Sequence, residues 1–166
     1  MTRLVLFLLA SLSLLTSIIL STGAQAQDSA GARDVAEAYL AAYQTQDFDQ
    51  MRELYAGDAH FIDPTSFDIP QITAPIDWQG ADSIIAGISS WGIQHITYHQ
   101  DRSYEASNAV IFDGNADVSY ATETGARIFN YPIITIITVR DGQVVEHRDY
   151  TDYAGAREIS APAPAQ

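Results

Sequence analysis

The chain has 166 residues, 47% of them hydrophobic, and sets 8 basic against 21 acidic residues for a net charge of −13. That length and hydrophobic share suit one domain with an ordinary core. The charge repels phosphate backbones and anionic headgroups, which argues against nucleic acid as a partner, and the absence of cysteine rules out disulfides and thiolate metal sites.

After Thr2-Arg3 an uncharged apolar run extends from Leu4 to Leu20 and leads to Ala24-Gln25-Ala26, a small-x-small pattern. Such a segment reads as a signal peptide over residues 1–26, cut after Ala26, leaving a secreted or periplasmic chain free of the membrane. An uncleaved anchor is the alternative, although the run is barely long enough to span.

From Asp28 to Gln44 the chain is alanine-rich, with Val35, Tyr39 and Tyr43 four apart beside Ala36 and Leu40, which predicts an amphipathic helix with tyrosines on its inner face. Asp47 followed by Gln50 is a capping pattern that opens a second helix, closed by Gly57. A short strand, Ala59 to Asp63, precedes Pro64, which forces Asp63 to be extended. Residues Thr65 to Gln79 hold Pro70 and Pro75 without a clear period, and Phe67, Ile69, Ile72, Ile76 and Trp78 favour a loop folded over a site. Gly80 and Asp82 open a third helix carrying Ile84, Ile85, Ile88 and Trp91, and Gly92 ends it.

Strands follow. His95 and His99 share one face of the first but lie about 13 Å apart, at ~3.3 Å per residue, too far for one metal ion. In the next, Ala109 to Ala121, Val110, Phe112, Ala116, Val118 and Tyr120 alternate with Ile111, Asp113, Asn115 and Asp117. Ile133 to Val139 is apolar on both faces, as in a strand buried on two sides. Asp141-Gly142 makes a hairpin turn, and on the return strand Val145, His147, Asp149 and Thr151 share a face, with Val144 on the other. The tail from 158 to 166 has nothing to bury and is expected to be disordered. Helices first and a meander after imply an α+β fold: a curved antiparallel sheet wrapped by three N-terminal helices, a cone with an internal pocket.

Three stretches, YAGDAHFIDP (Tyr55 to Pro64), WQGADSI (Trp78 to Ile84) and RDGQVVEHRDYTDY (Arg140 to Tyr153), together resemble the SnoaL-like branch of the nuclear transport factor 2-like superfamily. The resemblance covers nearly all of residues 27–157, and the fold hosts isomerases, cyclases, hydrolases and pure binding modules alike. Tyr39 and Asp63 stand at the spacing of the oxyanion-binding tyrosine and proton-shuttling aspartate of ketosteroid isomerases, with Pro132 where those enzymes place a second acid. By similarity to limonene epoxide hydrolase, Asp149 aligns with the water-activating acid and Asp117 with the acid that protonates the epoxide. Asn115 stands where that family has an arginine. In polyketide cyclases one pocket aspartate moves a proton, a role open to Asp117 or Asp149.

The resemblance therefore implies a pocket for a small hydrophobic molecule. Asp149, Asp63, Asp117 and His147 are its candidate proton-transfer groups, and Tyr39, Tyr43, Phe61, Trp78, Trp91 and Asn115 are its ligand-binding side chains. The chemistry implied is that of a cofactor-independent, metal-free isomerase, cyclase or hydrolase; a noncatalytic ligand-binding or protein-interaction module is the alternative. Members of this fold often pair through the open sheet face, so a homodimer is expected, with Val110, Phe112, Val118 and Tyr120 as its apolar surface.

Overall fold

The computed structural model describes residues 31–160 apart from residue 124, so the expected signal peptide lies outside the described residues. Helix α1, Ala32–Thr45, buries Val35, Ala36, Tyr39, Leu40 and Tyr43, the face set by its apolar spacing. Gln46 ends it in a left-handed turn. Asp47 then caps α2, Phe48–Leu54, its carboxylate accepting the Gln50 N–H at 3.1 Å. This helix stops three residues before Gly57. Tyr55 is already extended and begins β1, Tyr55–Asp63, because it pairs with Val144.

The stretch expected as a loop contains a 3-10 turn, Ser66–Asp68, and a four-residue strand β2, Ile76–Gln79, antiparallel to β1. The Ser66 hydroxyl donates to the Asp63 carbonyl at 2.7 Å and accepts the Ile76 N–H at 2.8 Å, fastening the start of that strand. Trp78 then stacks on Phe61, ring centroids 5.5 Å apart. Helix α3, Ala81–Ser90, buries Ile84, Ile85 and Ile88.

Four long strands complete the sheet: β3 (Ile93–Ala106), β4 (Ala109–Thr122), β5 (Gly125–Arg140) and β6 (Gln143–Thr151). The order is β2-β1-β6-β5-β4-β3. All neighbours run antiparallel except β1 and β6, so the sheet is mixed rather than wholly antiparallel. A two-residue strand, β7 (Arg157–Glu158), covers the half of β5 that β6 leaves open. The tail is therefore tied down through Ser160: Arg127 donates twice to the Glu158 carboxylate, at 3.0 and 2.7 Å, and the Ile128 N–H donates to Ser160 Oγ.

Helices lie on one side of this curved sheet, which decides what each strand buries. Val110, Phe112 and Val118 are in the core, so the expectation that they form a dimer surface is overturned. Ile133 and Ile137 are buried while Ile134 is 40% exposed, so β5 is covered on one face only. The turn between β5 and β6 has positive φ at both Asp141 and Gly142, the geometry of the tight hairpin that Asp-Gly favours. A bulge past it sets Val139 against Val144 and Thr138 against Glu146. The bulge absorbs Val145 and turns Val144 inward, so the inner row of β6 is Val144, His147, Asp149 and Thr151.

Candidate active site

The inner face of the cone encloses a cavity of about 180 Å³ between α1, the end of α3 and the concave face of the sheet. Asp149 and Thr151 of β6, Asp63 at the end of β1, Tyr43 of α1 and Trp91 after α3 reach it, with Tyr98 and Ile133 from the sheet. A more open hollow of about 340 Å³ shares Ile69, Tyr120, Tyr131 and Tyr153 with it.

Asp149 is 4% exposed and held by one oxygen. Thr135 Oγ1 donates to Oδ1 at 2.6 Å, and His147 Nε2 lies 3.0 Å from the same atom. Tyr98 OH lies 2.9 Å from Thr135 Oγ1. On the other side of the imidazole, Nδ1 is 2.7 Å from Tyr39 OH, which in turn bonds Tyr55 OH. One assignment satisfies every atom. His147 donates from Nε2 to the carboxylate and accepts at Nδ1 from Tyr39, which accepts from Tyr55. The Oδ2 atom of Asp149 has no hydrogen-bond partner among the described residues and is not sealed from the cavity.

Burial raises the pKa of the Tyr39, Tyr43, Tyr98 and Tyr55 phenols, so all four stay neutral donors. Tyr43 makes no side-chain hydrogen bond among the described residues, and the nearby Asp149 carboxylate adds to its upward shift. The cavity thus offers a bare carboxylate oxygen and an uncommitted phenol. That pairing can accept a proton at one point and donate a hydrogen bond at another.

Asp63 forms a second cluster. Its Oδ1 accepts from Thr65 N–H at 2.9 Å and Thr65 Oγ1–H at 2.6 Å, and its Oδ2 accepts from Tyr153 OH. Thr65 Oγ1 also accepts the Thr151 N–H at 2.8 Å, fixing the loop to β6. Burial raises the Asp63 pKa against these hydrogen bonds, which lower it. Both its oxygens are committed, unlike those of Asp149.

Of the candidates drawn from sequence, Asp149, Asp63, Tyr43 and Trp91 reach the cavity. Tyr39, Phe61 and His147 form the layer behind it, each 0% exposed, and Trp78 backs Phe61 and Trp91. Asp117 and Asn115, expected in the pocket, do not reach it, because both occupy the outer face of β4, opposite the inward row of Ala116 and Val118. Asp117 accepts from Asn130 at 2.6 Å and contacts His99 Nε2 at 2.7 Å. Burial raises its pKa, but those hydrogen bonds outweigh it and the net shift is downward. It cannot pair with Asp149 through the sheet.

Tyr98, Tyr120, Tyr131, Tyr153 and Thr135 were not anticipated as site residues. For the four on strands the signal lay in alternation, which assigns faces only once the register between strands is known, whereas Tyr153 lies in a bend beyond β6 that carries no such pattern.

A family model for the SnoaL-like domain matches residues 36–147. Among solved structures, proteins described as SnoaL-like polyketide cyclases from Shewanella putrefaciens and Shewanella denitrificans superpose with TM-scores of 0.64 and 0.63, each at 20% identity over 74% of this chain and 90% and 91% of theirs. An NTF2-like protein from Burkholderia xenovorans gives 0.57 at 20% identity, covering 74% of this chain and 90% of its own. No curated protein matches the sequence. The cone and the family match agree: this chain belongs to the SnoaL-like domain family, with an NTF2-like α+β cone fold.

Proposed function

We propose that this protein is an acid–base catalyst acting on a small, largely apolar molecule held in the cone, and that it works outside the cytoplasm once residues 1–26 are removed. One observation carries the proposal: Asp149 is anchored through Oδ1 by Thr135 and His147 while Oδ2 is bare toward the cavity. A carboxylate fixed in this way has its basic oxygen aimed before the substrate arrives. Tyr43 supplies a neutral donor for an oxygen that gains charge, and Asp63, with its raised pKa, is a reserve proton carrier.

A binding module without turnover is the second reading. It is favoured by Asp117 lying outside the cone, which leaves Asp149 without a second freely disposed acid. To decide between them, the purified mature chain is incubated with a pool of lipids, steroids and terpenoid epoxides and the products are read by mass spectrometry. Turnover that disappears in Asp149→Asn supports catalysis. Retention of an unchanged ligand by both proteins supports the binding module instead.

A further inference from the structure

Charge and aromaticity go together in this cavity. Of its fifteen lining residues six are aromatic (Tyr43, Trp91, Tyr98, Tyr120, Tyr131 and Tyr153), two are aspartates, and none is basic. Five of the seven described arginines are paired elsewhere, and the other two, Arg102 and Arg157, line neither hollow. Arg33 bonds Glu37 and Glu105, Arg52 bonds Asp82, Arg127 bonds Glu158, Arg140 bonds Asp58 and Arg148 bonds Glu146. The sequence has no lysine. Among the described residues His147 is the one basic group touching Asp149, and it lies behind the wall at 0% exposure with both ring nitrogens engaged, its contact falling on Oδ1.

An almost fully buried carboxylate therefore turns an unpartnered oxygen toward a space walled by aromatic and aliphatic side chains. A buried anionic oxygen without a donor is costly, so the complementary ligand brings the missing positive charge. Neutral phenol and indole rings attract a cation over their faces, most strongly where water is excluded. An anionic ligand meets the opposite: two carboxyl groups inside the cavity, Asp68 at the outer hollow, and no basic residue among the described residues lining either.

We infer that the ligand of this cavity carries a tertiary or quaternary alkylammonium group, seated among the aromatic side chains with Asp149 as its counter-charge. The inference rests on the reading of the cone as the ligand site and holds whether or not Asp149 also moves a proton.

The test compares three molecules of nearly the same shape: choline, its uncharged carbon isostere 3,3-dimethylbutan-1-ol, and the anion 3,3-dimethylbutanoate. Binding is followed by calorimetry and by tryptophan fluorescence, since Trp91 lines the cavity, at matched ionic strength. Choline is expected to bind at least ~10-fold more tightly than the alcohol, with no binding of the anion. In Asp149→Asn the gap between choline and the alcohol closes. Because the wild-type comparison needs no variant, a poorly folded mutant does not spoil the result. Equal affinity for choline and the alcohol, or preference for the anion, overturns the charge assignment while leaving the cone as a ligand site. If none of the three binds, the alkylammonium assignment falls, while the cone as a ligand site is still judged by the separate screen of lipids, steroids and terpenoid epoxides.

Discussion

Nε2 of His147 sits 3.0 Å from Oδ1 of Asp149, two residues further along the same strand. Residues so spaced share a face, so the strand itself brings imidazole and carboxylate together. Tertiary packing adds Tyr39 at the far nitrogen and closes the Tyr39, Tyr43 and Phe61 rings around the imidazole, with centroids 5.4, 4.9 and 4.5 Å away. Replacing His147 with Phe keeps the bulk but leaves Tyr39 only its bond to Tyr55 and takes one donor from a buried carboxylate. A loss of about 3 kcal/mol is expected in urea unfolding, the usual scale for an unsatisfied buried polar group near a charge. A loss below ~0.5 kcal/mol would mean that water replaces the imidazole and that the pair does not hold the site.

The two aspartates on opposite faces of the sheet separate cleanly by mutation. Asp149→Asn is expected to abolish turnover of whatever substrate the product screen identifies. Asp117→Asn changes an outer-face contact with Asn130 and His99 and should leave turnover within about twofold. A large kinetic effect of Asp117→Asn would contradict its placement outside the cone.

Asp63 predicts a pH dependence of stability whose sign follows from its raised pKa. Burial favours the protonated form in the folded state, so the folded pKa lies above the unfolded one. Its contribution is fully present below the unfolded pKa and is lost as pH rises through the folded pKa. Denaturation midpoints measured across the acidic range should therefore lose this component with rising pH, and Asp63→Asn should flatten that part of the curve. A component of the opposite slope, removed by the same substitution, would place the carboxylate in a charge-stabilising environment instead.

Gly114 is required by a close approach of two strands. A Cβ built there would lie 2.1 Å from the His99 carbonyl oxygen, a backbone atom that cannot swing away. Gly114→Ala should cost about 3 kcal/mol by overpacking between β3 and β4. The measurement is again an unfolding midpoint, alongside amide exchange, which should rise along β3 first.

Much of this protein was legible in its residues. Alanine-rich spacing placed α1, the Asp47 cap placed α2, Asp141-Gly142 placed the hairpin, and three local stretches pointed to the family. Each is a local effect, carried by propensity, capping and backbone conformation over a few neighbours. The edge strand Ile76–Gln79 escaped notice because four residues after a proline hold too little pattern to read. The mistaken positions of Val144 and of the supposed dimer face had another cause. Alternation divides a strand into two faces but cannot say which one the helices will cover, and a single bulged residue, Val145, reverses the count beyond it. Only the register of β6 on β5 and the one-sided packing of the helices decided that Asp149 looks into the cone and Asp117 away from it. The candidate site depends on that decision, because a carboxylate becomes a directed base or counter-charge only where the surrounding fold removes water and engages one of its oxygens.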